Sequence, residues 1–321
     1  MKRSLVIWGL IVLISGAGIG GIYLARHADS GAAGAVKSQE QQQRSLQYKG
    51  MTYLLPERAE RIVVTGALEA LEDLLLLGVK PAGVMTIGGV FPALFADITA
   101  DAQPIGERMQ PSLEAILKLR PDVIVSSDKF PAATTAQLQK IAPTIPISHF
   151  PSDGEANLQF LGELTGRQER AQEILASYRK DLAEAKKRLP EAVKNKKVVA
   201  IRIRVGNIFV YPPDVFYNDI LYQELGLAVP VEIKSVKAQE VISMEKFSEI
   251  DPDYIFLQYE VSESPANPRA LEDLQRNPVW QRLKAVKNGR VFINSVDPLI
   301  QGVAVGGKIQ FLHAAVEKLS Q

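Results

Sequence analysis

The stretch Ser112–Val125, SLEAILKLRPDVIV, recurs 131 positions later as Ser243–Phe256, SMEKFSEIDPDYIF. Five of the fourteen positions are identical, and the apolar positions coincide at nearly every step. Each copy predicts a serine-capped amphipathic helix, a Pro-Asp stop and a buried strand. A unit that is used once in each half of a chain predicts two similar α/β lobes, and the cleft between two facing lobes is a typical ligand site.

Strand and helix patterns alternate around both copies, with short connections between them. This alternation predicts an α/β fold of two lobes, with mainly parallel sheets flanked by helices. The predicted parts are a signal or membrane-anchor segment (1–26), a flexible tether (27–47), an N-terminal lobe (48–152), a connecting helix (153–190) and a C-terminal lobe (191–321). In the last of these, the pattern predicts a helix at Phe216–Leu225 and a loop at Ala228–Gln239.

The segment between the lobes is rich in Ala, Leu, Glu, Lys and Arg, and it ends at Pro190. Its apolar residues follow a broken helical spacing, with Gly166 at the interruption. The pattern is compatible with one long helix or with two helices in succession. A single stiff crossing would limit the relative motion of the lobes to rocking, whereas a multi-strand hinge would allow larger closure.

The N-terminus has the pattern of a membrane segment. Lys2 and Arg3 precede an uncharged run over Leu5–Ala25, and Arg26 follows it. A helix of this length spans about 30 Å, and the basic flank predicts that the remainder of the chain lies outside the cell membrane. A small-x-small motif at 33–35 leaves a cleaved signal peptide open, although we favour a retained anchor. An extracytoplasmic protein, either tethered or secreted after cleavage, is therefore expected.

Composition excludes several classes of function. The net charge is +1, which gives no electrostatic reason to expect nucleic-acid binding. The chain has no Cys and only three His residues, so disulfides and thiolate metal sites are excluded, and no cluster of metal ligands is apparent. We therefore expect no cofactor and no metal held by side chains.

The repeat also locates the cleft. In parallel α/β units, the carboxyl ends of strands and the amino ends of helices share the edge where ligands bind. Four loops meet at that edge according to the repeat: 106–108, 126–129, 236–239 and 257–260. Arg202 and Arg204 alternate with apolar residues near the end of a predicted strand, so both are expected on one face of it.

Five cations thus gather at one predicted cleft of a nearly neutral chain, which argues for an anionic ligand. Taken singly, each is also compatible with ordinary surface charge. Tyr211, Gln258 and Tyr259 are expected to add stacking and hydrogen bonds, unless they pack in the core or at the rim. The five cations are Arg108, Lys129, Arg202, Arg204 and Lys237.

From about Leu46 to the end, the chain resembles the substrate-binding proteins of ABC importers for iron–siderophore complexes, haem and cobalamin. The most telling segments are 61–65, 104–122, 243–256 and 277–291. Within this family, Tyr211–Asp214 and Asn294–Gln301 look most like the binding proteins for ferric tris-catecholate siderophores of the bacillibactin and enterobactin type. The family fold has two α/β lobes joined by one long helix.

The resemblance implies roles for particular residues. Arg108, Lys129 and Arg204 fall at the positions of a basic triad, and Arg202, Lys237 and Gln239 flank it. The family docks to its permease through one acidic residue on each lobe. Glu72 and Glu224 stand at the matching positions, with Glu69 and Asp73 as neighbours that leave the first assignment open. The chain departs from Gram-positive lipoproteins of the family, because Ala17 stands where a lipid-bearing Cys is expected.

These observations predict a monomeric extracytoplasmic binding protein, not an enzyme, that captures a ferric tris-catecholate siderophore and delivers it to an ABC permease and its ATPase. The siderophore, rather than protein side chains, would hold the iron. The same fold binding a hydroxamate siderophore, ferric citrate or haem is an alternative. A membrane-anchored sensor of such a ligand is another. Two-lobed chelatases also exist, but they need a catalytic His–Glu pair or cysteines that the predicted cleft lacks.

Overall fold

The computed structural model describes residues 43–321, and the predicted N-terminal helix lies outside them. The described chain begins with an antiparallel hairpin, β1 (Gln43–Tyr48) and β2 (Met51–Pro56). Leu46 and Tyr48 are buried, and the Tyr48 ring centroid lies 4.9 Å from that of Phe160. The end of the predicted tether, 43–47, is therefore a strand, because its alternate side chains pack into a core. Among residues 43–321, none of the helices combines the length and the apolar character that a membrane span requires.

The first lobe is built on a six-stranded sheet. Its strands are β3 (Ile62–Thr65), β4 (Gly83–Thr86), β5 (Gln103–Glu107), β6 (Gln110–Pro111), β7 (Val123–Ser127) and β8 (Thr144–Ile147). Their spatial order is β6-β5-β4-β3-β7-β8, and every pair is parallel except β5 with β6. The helices are α1 (Leu68–Leu77), α2 (Ala96–Thr99), α3 (Leu113–Leu119) and α4 (Ala132–Gln139). The expected parallel α/β lobe is confirmed. Strands β5 and β6 were not predicted, because they contain Pro and Gly and their sequences lack the alternation of a strand.

Two helices in succession follow the first lobe. They are α5 (Gly154–Thr165) and the 21-residue α6 (Gln168–Arg188). Gly166 separates them in a left-handed conformation, with φ of 68°. Its backbone N–H bonds back to the last turn of α5, which ends that helix. The structure therefore has two helices in succession rather than one long helix, and α6 is the longer of the two.

The second lobe has a mixed five-stranded sheet. Its strands are β9 (Val198–Arg204), β10 (Asn207–Val210), β11 (Glu240–Val241), β12 (Tyr254–Tyr259) and β13 (Val291–Ile293). The order is β11-β10-β9-β12-β13, with β9, β12 and β13 parallel and the other two antiparallel. The helices are α7 (Glu191–Lys194), α8 (Val231–Lys234), α9 (Met244–Ile250), α10 (Ala270–Arg276), α11 (Lys284–Lys287) and α12 (Val305–Leu319).

The helix expected at Phe216–Leu225 is present, and its central part, Asp219–Glu224, is a π-helix. One prediction for this lobe needs correction. The loop expected at Ala228–Gln239 contains the short helix α8, which begins after Pro230. A helix of four residues is too short to show a helical period in the sequence.

The repeated unit has the same atomic details in both lobes. The Oγ atom of Ser112 accepts from the backbone N–H of Ala115 at 3.3 Å, and that of Ser243 accepts from Lys246 at 3.2 Å. Both helices end in a left-handed residue directly before proline, with φ of 46° at Arg120. The strands that follow, β7 and β12, are each flanked by parallel neighbours inside their sheets. The sequence repeat therefore marks equivalent positions in the two lobes.

Helix α12 of the second lobe packs against α1 of the first, and we call this contact, together with the turn Asp219–Glu224, the lobe junction. The residue before α12, Ala304, has no side chain that can cap a helix. The cap comes from the first lobe instead, since the Asp73 carboxylate accepts from the N–H of Gly306 at 3.4 Å. A Cβ atom at Gly307 would collide with the Glu72 carboxylate. Glycines at these positions therefore permit the close approach of the two helices.

Candidate ligand-binding cleft

A cavity of about 340 Å³ opens between the two lobes, at the carboxyl ends of their strands. First-lobe residues reach it just after β7 and β8, and second-lobe residues reach it at the end of β9 and in the loop before β11. It is at the sheet edge that the repeat predicts. Six of the nine predicted ligand residues line it: Lys129, Arg202, Arg204, Tyr211, Lys237 and Gln239.

Arg202 and Arg204 do share one face of β9, and both meet a carboxylate that sequence reasoning missed. Glu263 lies on the turn after β12. Its carboxylate oxygens are 2.7 Å from Nε and 2.7 Å from Nη2 of Arg202, and Oε2 is 3.5 Å from Nε of Arg204. The Arg202 side chain is 2% exposed, whereas that of Arg204 is 38% exposed. Arg202 is therefore a buried, paired charge, and Arg204 is the arginine that presents its charge to the cavity.

Arg108 does not line this cavity, but it interacts electrostatically with the arginines that do. It follows β5 in the turn to β6, and its Nε is buried without a hydrogen bond among the described residues. Burial lowers the pKa of Arg108, Glu69 opposes this, and the positive charges of Arg202 and Arg204 lower it further. The turn thus places Arg108 beside the cation cluster rather than at its open surface.

Lys129 is part of the same cluster. Desolvation lowers its pKa, Glu69 opposes the shift, and the charges of Arg108 and Arg204 add to it. The three residues that the resemblance assigns to a basic triad therefore repel one another across the cleft. Such crowding of like charges is relieved by an anion, which is a physical reason to regard the cleft as an anion site.

Two predicted ligand residues point elsewhere. The Gln258 side chain is buried, and its amide donates to the hydroxyl of Tyr217 at 2.8 Å. The hydroxyl of Tyr259 donates to the carbonyl of Pro268 at 2.7 Å. Neither residue lines the cavity, because β12 is a central strand and its residues are buried on both faces. Both residues lie at the end of β12, as cleft residues lie at the ends of other strands. Their position in the sequence therefore did not separate core residues from cleft residues.

The structure adds residues that the sequence analysis did not select. His149 and Phe150 follow β8 and line the cavity from the first lobe. Nδ1 of His149 is 2.6 Å from a carboxylate oxygen of Asp128. Pro212, Val215 and Phe216 form an apolar wall on the opposite side. The available signal was the position of His149 shortly after the parallel strand β8, at the edge where the cleft opens.

The two predicted docking residues are not free at the surface. Glu72 is 5% exposed, and its neighbours Glu69 and Asp73 on α1 are equally enclosed. Burial raises the pKa of Glu72 well above its ordinary value, and the charges of Asp73 and Glu69 raise it further. Glu224 accepts hydrogen bonds from Lys308, at 2.8 Å, and from the hydroxyl of Tyr178. These carboxylates lie in the lobe junction, and their role in docking to a permease stays a prediction.

Within residues 43–321, no three His, Cys, Asp or Glu side chains converge in a way that would hold a metal ion. The cleft instead combines positive charge, an aromatic and aliphatic wall, and a histidine–carboxylate pair. These features favour an anionic ligand with apolar surface.

The chain belongs to the periplasmic binding protein family, whose pattern it matches over residues 63–295. It is 45% identical over 280 residues to the iron-uptake system-binding protein of Bacillus subtilis, covering 87% of this chain and 88% of that protein. Its fold matches a crystal structure of the triscatecholate siderophore binding protein FeuA from Bacillus subtilis in complex with ferri-bacillibactin. That match has a TM-score of 0.84 and covers 87% of this chain and 98% of the other.

A more distant relative is the Fe(3+)-citrate-binding protein YfmC of Bacillus subtilis. It is 27% identical over 238 residues, which cover 73% of this chain and 72% of that protein. The family thus includes proteins named for different ferric ligands. Family membership alone does not determine the ligand, which depends on the side chains of the cleft.

Proposed function

We propose that this protein captures a ferric tris-catecholate siderophore in the cleft and delivers it to an ABC permease for iron uptake. The observation that carries the proposal is the set of cations contributed by both lobes to one cavity. The similarity to FeuA supports the same ligand class. We also propose that the described part acts outside the cytoplasmic membrane, tethered by the N-terminal segment or secreted.

The charge of the cleft suits such a ligand. Three catecholate dianions around Fe³⁺ leave a net charge of −3. Arg202 is buried and paired with Glu263, so the cations that face the cavity are Lys129, Lys237 and Arg204, the last of which lies 3.5 Å from the same carboxylate. Arg108 adds positive charge from beside the cavity. Guanidinium and ammonium groups also interact favourably with electron-rich aromatic rings. A neutral ferric hydroxamate complex would leave these like charges in the cleft uncompensated.

The apolar wall supports an aromatic ligand as well. The Tyr211 and Phe216 rings stack with centroids 4.5 Å apart, which holds both rings rigid at the cavity. Phe150 is 48% exposed, a high value for a large apolar side chain, and it faces the same cavity. Binding of catecholate rings would bury this surface.

The test is a titration of the purified full-length chain with ferric bacillibactin, followed by intrinsic fluorescence. We expect tight quenching that weakens as salt is raised, because the attraction is between charges. Ferrioxamine, a hydroxamate complex, and ferric citrate are the controls. A response to ferrioxamine that equals the response to ferric bacillibactin would contradict the catecholate proposal. A response to ferric citrate alone would favour the ligand class of YfmC.

Delivery to a permease requires a separate measurement. Cells that express the protein with its cognate permease should accumulate iron from ferric bacillibactin, and cells without the binding protein should not. Normal ligand binding without any effect on uptake would favour a sensor over a transport protein.

A further inference from the structure

Asp128 and His149 form a pair at the wall of the cleft that neither the sequence nor the family comparison assigns. Asp128 lies in the turn after β7, and His149 lies two residues beyond β8, so neighbouring parallel strands bring them together. The distance from Nδ1 of His149 to the carboxylate is 2.6 Å, and the carboxylate also accepts from the backbone N–H of His149 at 3.4 Å.

The pair determines which nitrogen of the imidazole is available to a ligand. A carboxylate can only accept, so Nδ1 of His149 must carry the proton that is shared with Asp128. Nε2 has no hydrogen-bond partner among residues 43–321, and the side chain is 31% exposed and lines the cavity. The ring is also held from the side, since its centroid is 4.2 Å from that of Phe150. The imidazole is thus oriented with one nitrogen unoccupied.

We propose that His149 is a ligand-binding residue and that binding of the ferric catecholate is coupled to uptake of a proton at its Nε2. The inference rests on the proposed function, because it requires a ligand whose rim is anionic and made of hydrogen-bond acceptors. A neutral Nε2 is itself an acceptor and would face catecholate oxygens without a bond. A protonated Nε2 donates to them, and the imidazolium becomes a further cation beside Lys129.

The charged groups around the imidazole permit this. Asp128 places a carboxylate against the ring. Asp153, on the turn before α5, is a second carboxylate nearby, although it is paired with Lys49 of the β1–β2 turn. Lys129, next to Asp128 in sequence, is a positive charge on the same wall of the cleft. A bound trianion would lie beside all of these groups, so protonation of the ring and ligand binding would favour each other reciprocally.

Coupling of this kind makes the ligand affinity depend on pH. Ligand binding stabilises the protonated ring, so the contribution of His149 is complete at pH values where the ring of the free protein is already charged. It is lost as the pH rises through the range where the ring of the complex releases its proton. Ligand affinity should therefore include a His149 contribution that grows as the pH falls from 8 towards 6.

The experiment compares the full-length wild-type chain with H149Q and D128N, titrated with ferric bacillibactin at several pH values between 6 and 8. His313 gives a matched control, because it pairs with Asp181 at 3.3 Å on α12 and α6, outside the cavity. The ratio of wild-type to H149Q affinity should increase by about tenfold as the pH falls, the effect expected of an opposite charge about 4–6 Å away. H313Q should show no such change, and D128N should show a smaller one. Protonation of the siderophore itself affects all variants alike and cancels in the ratio.

Calorimetry of the wild-type protein in buffers of different ionisation enthalpy gives a second measurement that does not depend on any variant folding. It should report uptake of up to about one proton per ligand bound near pH 7. A pH-independent affinity ratio, or equal proton uptake by wild type and H149Q, would overturn the inference and leave the proposed function intact. Absence of wild-type binding at every pH would overturn both.

Discussion

In the cleft, Arg204 keeps 38% of its side chain exposed, whereas at the lobe junction Glu72 and Asp73 are only 5% and 0% exposed. Both regions hold several like charges close together. In the cleft the repulsion among cations stays in contact with solvent, so a ligand can relieve it. At the junction the repulsion among carboxylates is sealed between two helices, so it can be relieved only by protonation or by partners in the chain. Like charges that remain accessible suggest a binding site, and like charges that are enclosed suggest a structural role.

The lobe junction should give the largest effect on stability. Lys308 is 8% exposed on its side chain, and its Nζ lies 2.6 Å from Asp219 and 2.8 Å from Glu224. K308M would leave two carboxylates without their cation and should lower the free energy of unfolding by about 3–5 kcal/mol. Urea denaturation measures this. The control is K180A, which removes an exposed pair with Glu184 and should cost less than about 1 kcal/mol. Equal effects of the two variants would contradict the distinction between sealed and open charges.

The cleft should show the opposite behaviour. R204A removes a charge that faces the cavity, so it should weaken binding of ferric bacillibactin by on the order of 2 kcal/mol or more. Its unfolding free energy should change little, because the side chain is partly exposed. Titration and urea denaturation of the same preparation give both values, with R276A as a control from an exposed pair on α10. Unchanged affinity would remove Arg204 from the site.

The pH dependence of stability sharpens the comparison through an effect that is small over any one pH unit. Burial raises the pKa of Asp73 to about 8, compared with about 3.9 for an ordinary Asp. Between these values the folded state holds a proton that the unfolded state releases, so stability should decrease as the pH rises from about 4 to about 8. The contribution of one such group is at most about 1.4 kcal/mol per pH unit.

D73N mimics the protonated carboxyl and should reduce that slope. Its unfolding free energy should match that of the wild type below about pH 4, where the carboxyl is protonated in both states, and should exceed it by a growing margin from there to pH 8. Parallel stability curves for the two proteins would mean that Asp73 is ionised in the folded protein, and that it acts at the junction as a charged cap of α12.

Several features were predictable because they depend on local pattern. The repeat predicted the helix α3 with strand β7 and the helix α9 with strand β12, down to the serine caps. Alternation along β9 correctly predicted that Arg202 and Arg204 share a face. Parallel α/β geometry correctly predicted the edge at which the cleft opens. In each case, a residue's neighbours in the chain are sufficient to determine its backbone conformation or its direction.

Other features depend on contacts between distant segments. Glu263 is 61 positions from Arg202, and nothing in its own surroundings marks it as the partner of a buried arginine. Gln258 and Tyr259 follow the same pattern as cleft residues, and only the packing around β12 turns them into core positions. In the sequence, Glu72 has the pattern of an exposed polar position on a helix. Only the packing of α12 against α1 buries it.

The order of residues along the chain was enough to define two α/β lobes, a cleft between them and its excess of positive charge, because periodicity, caps and strand ends are local properties. Which charges remain accessible was decided by the tertiary structure alone. Accessibility depends on what packs over a side chain, and at both the cleft and the junction that covering comes from a segment far away in sequence. The same kind of residue, a charged side chain at the end of an element, therefore becomes a ligand contact in one place and part of the framework in another.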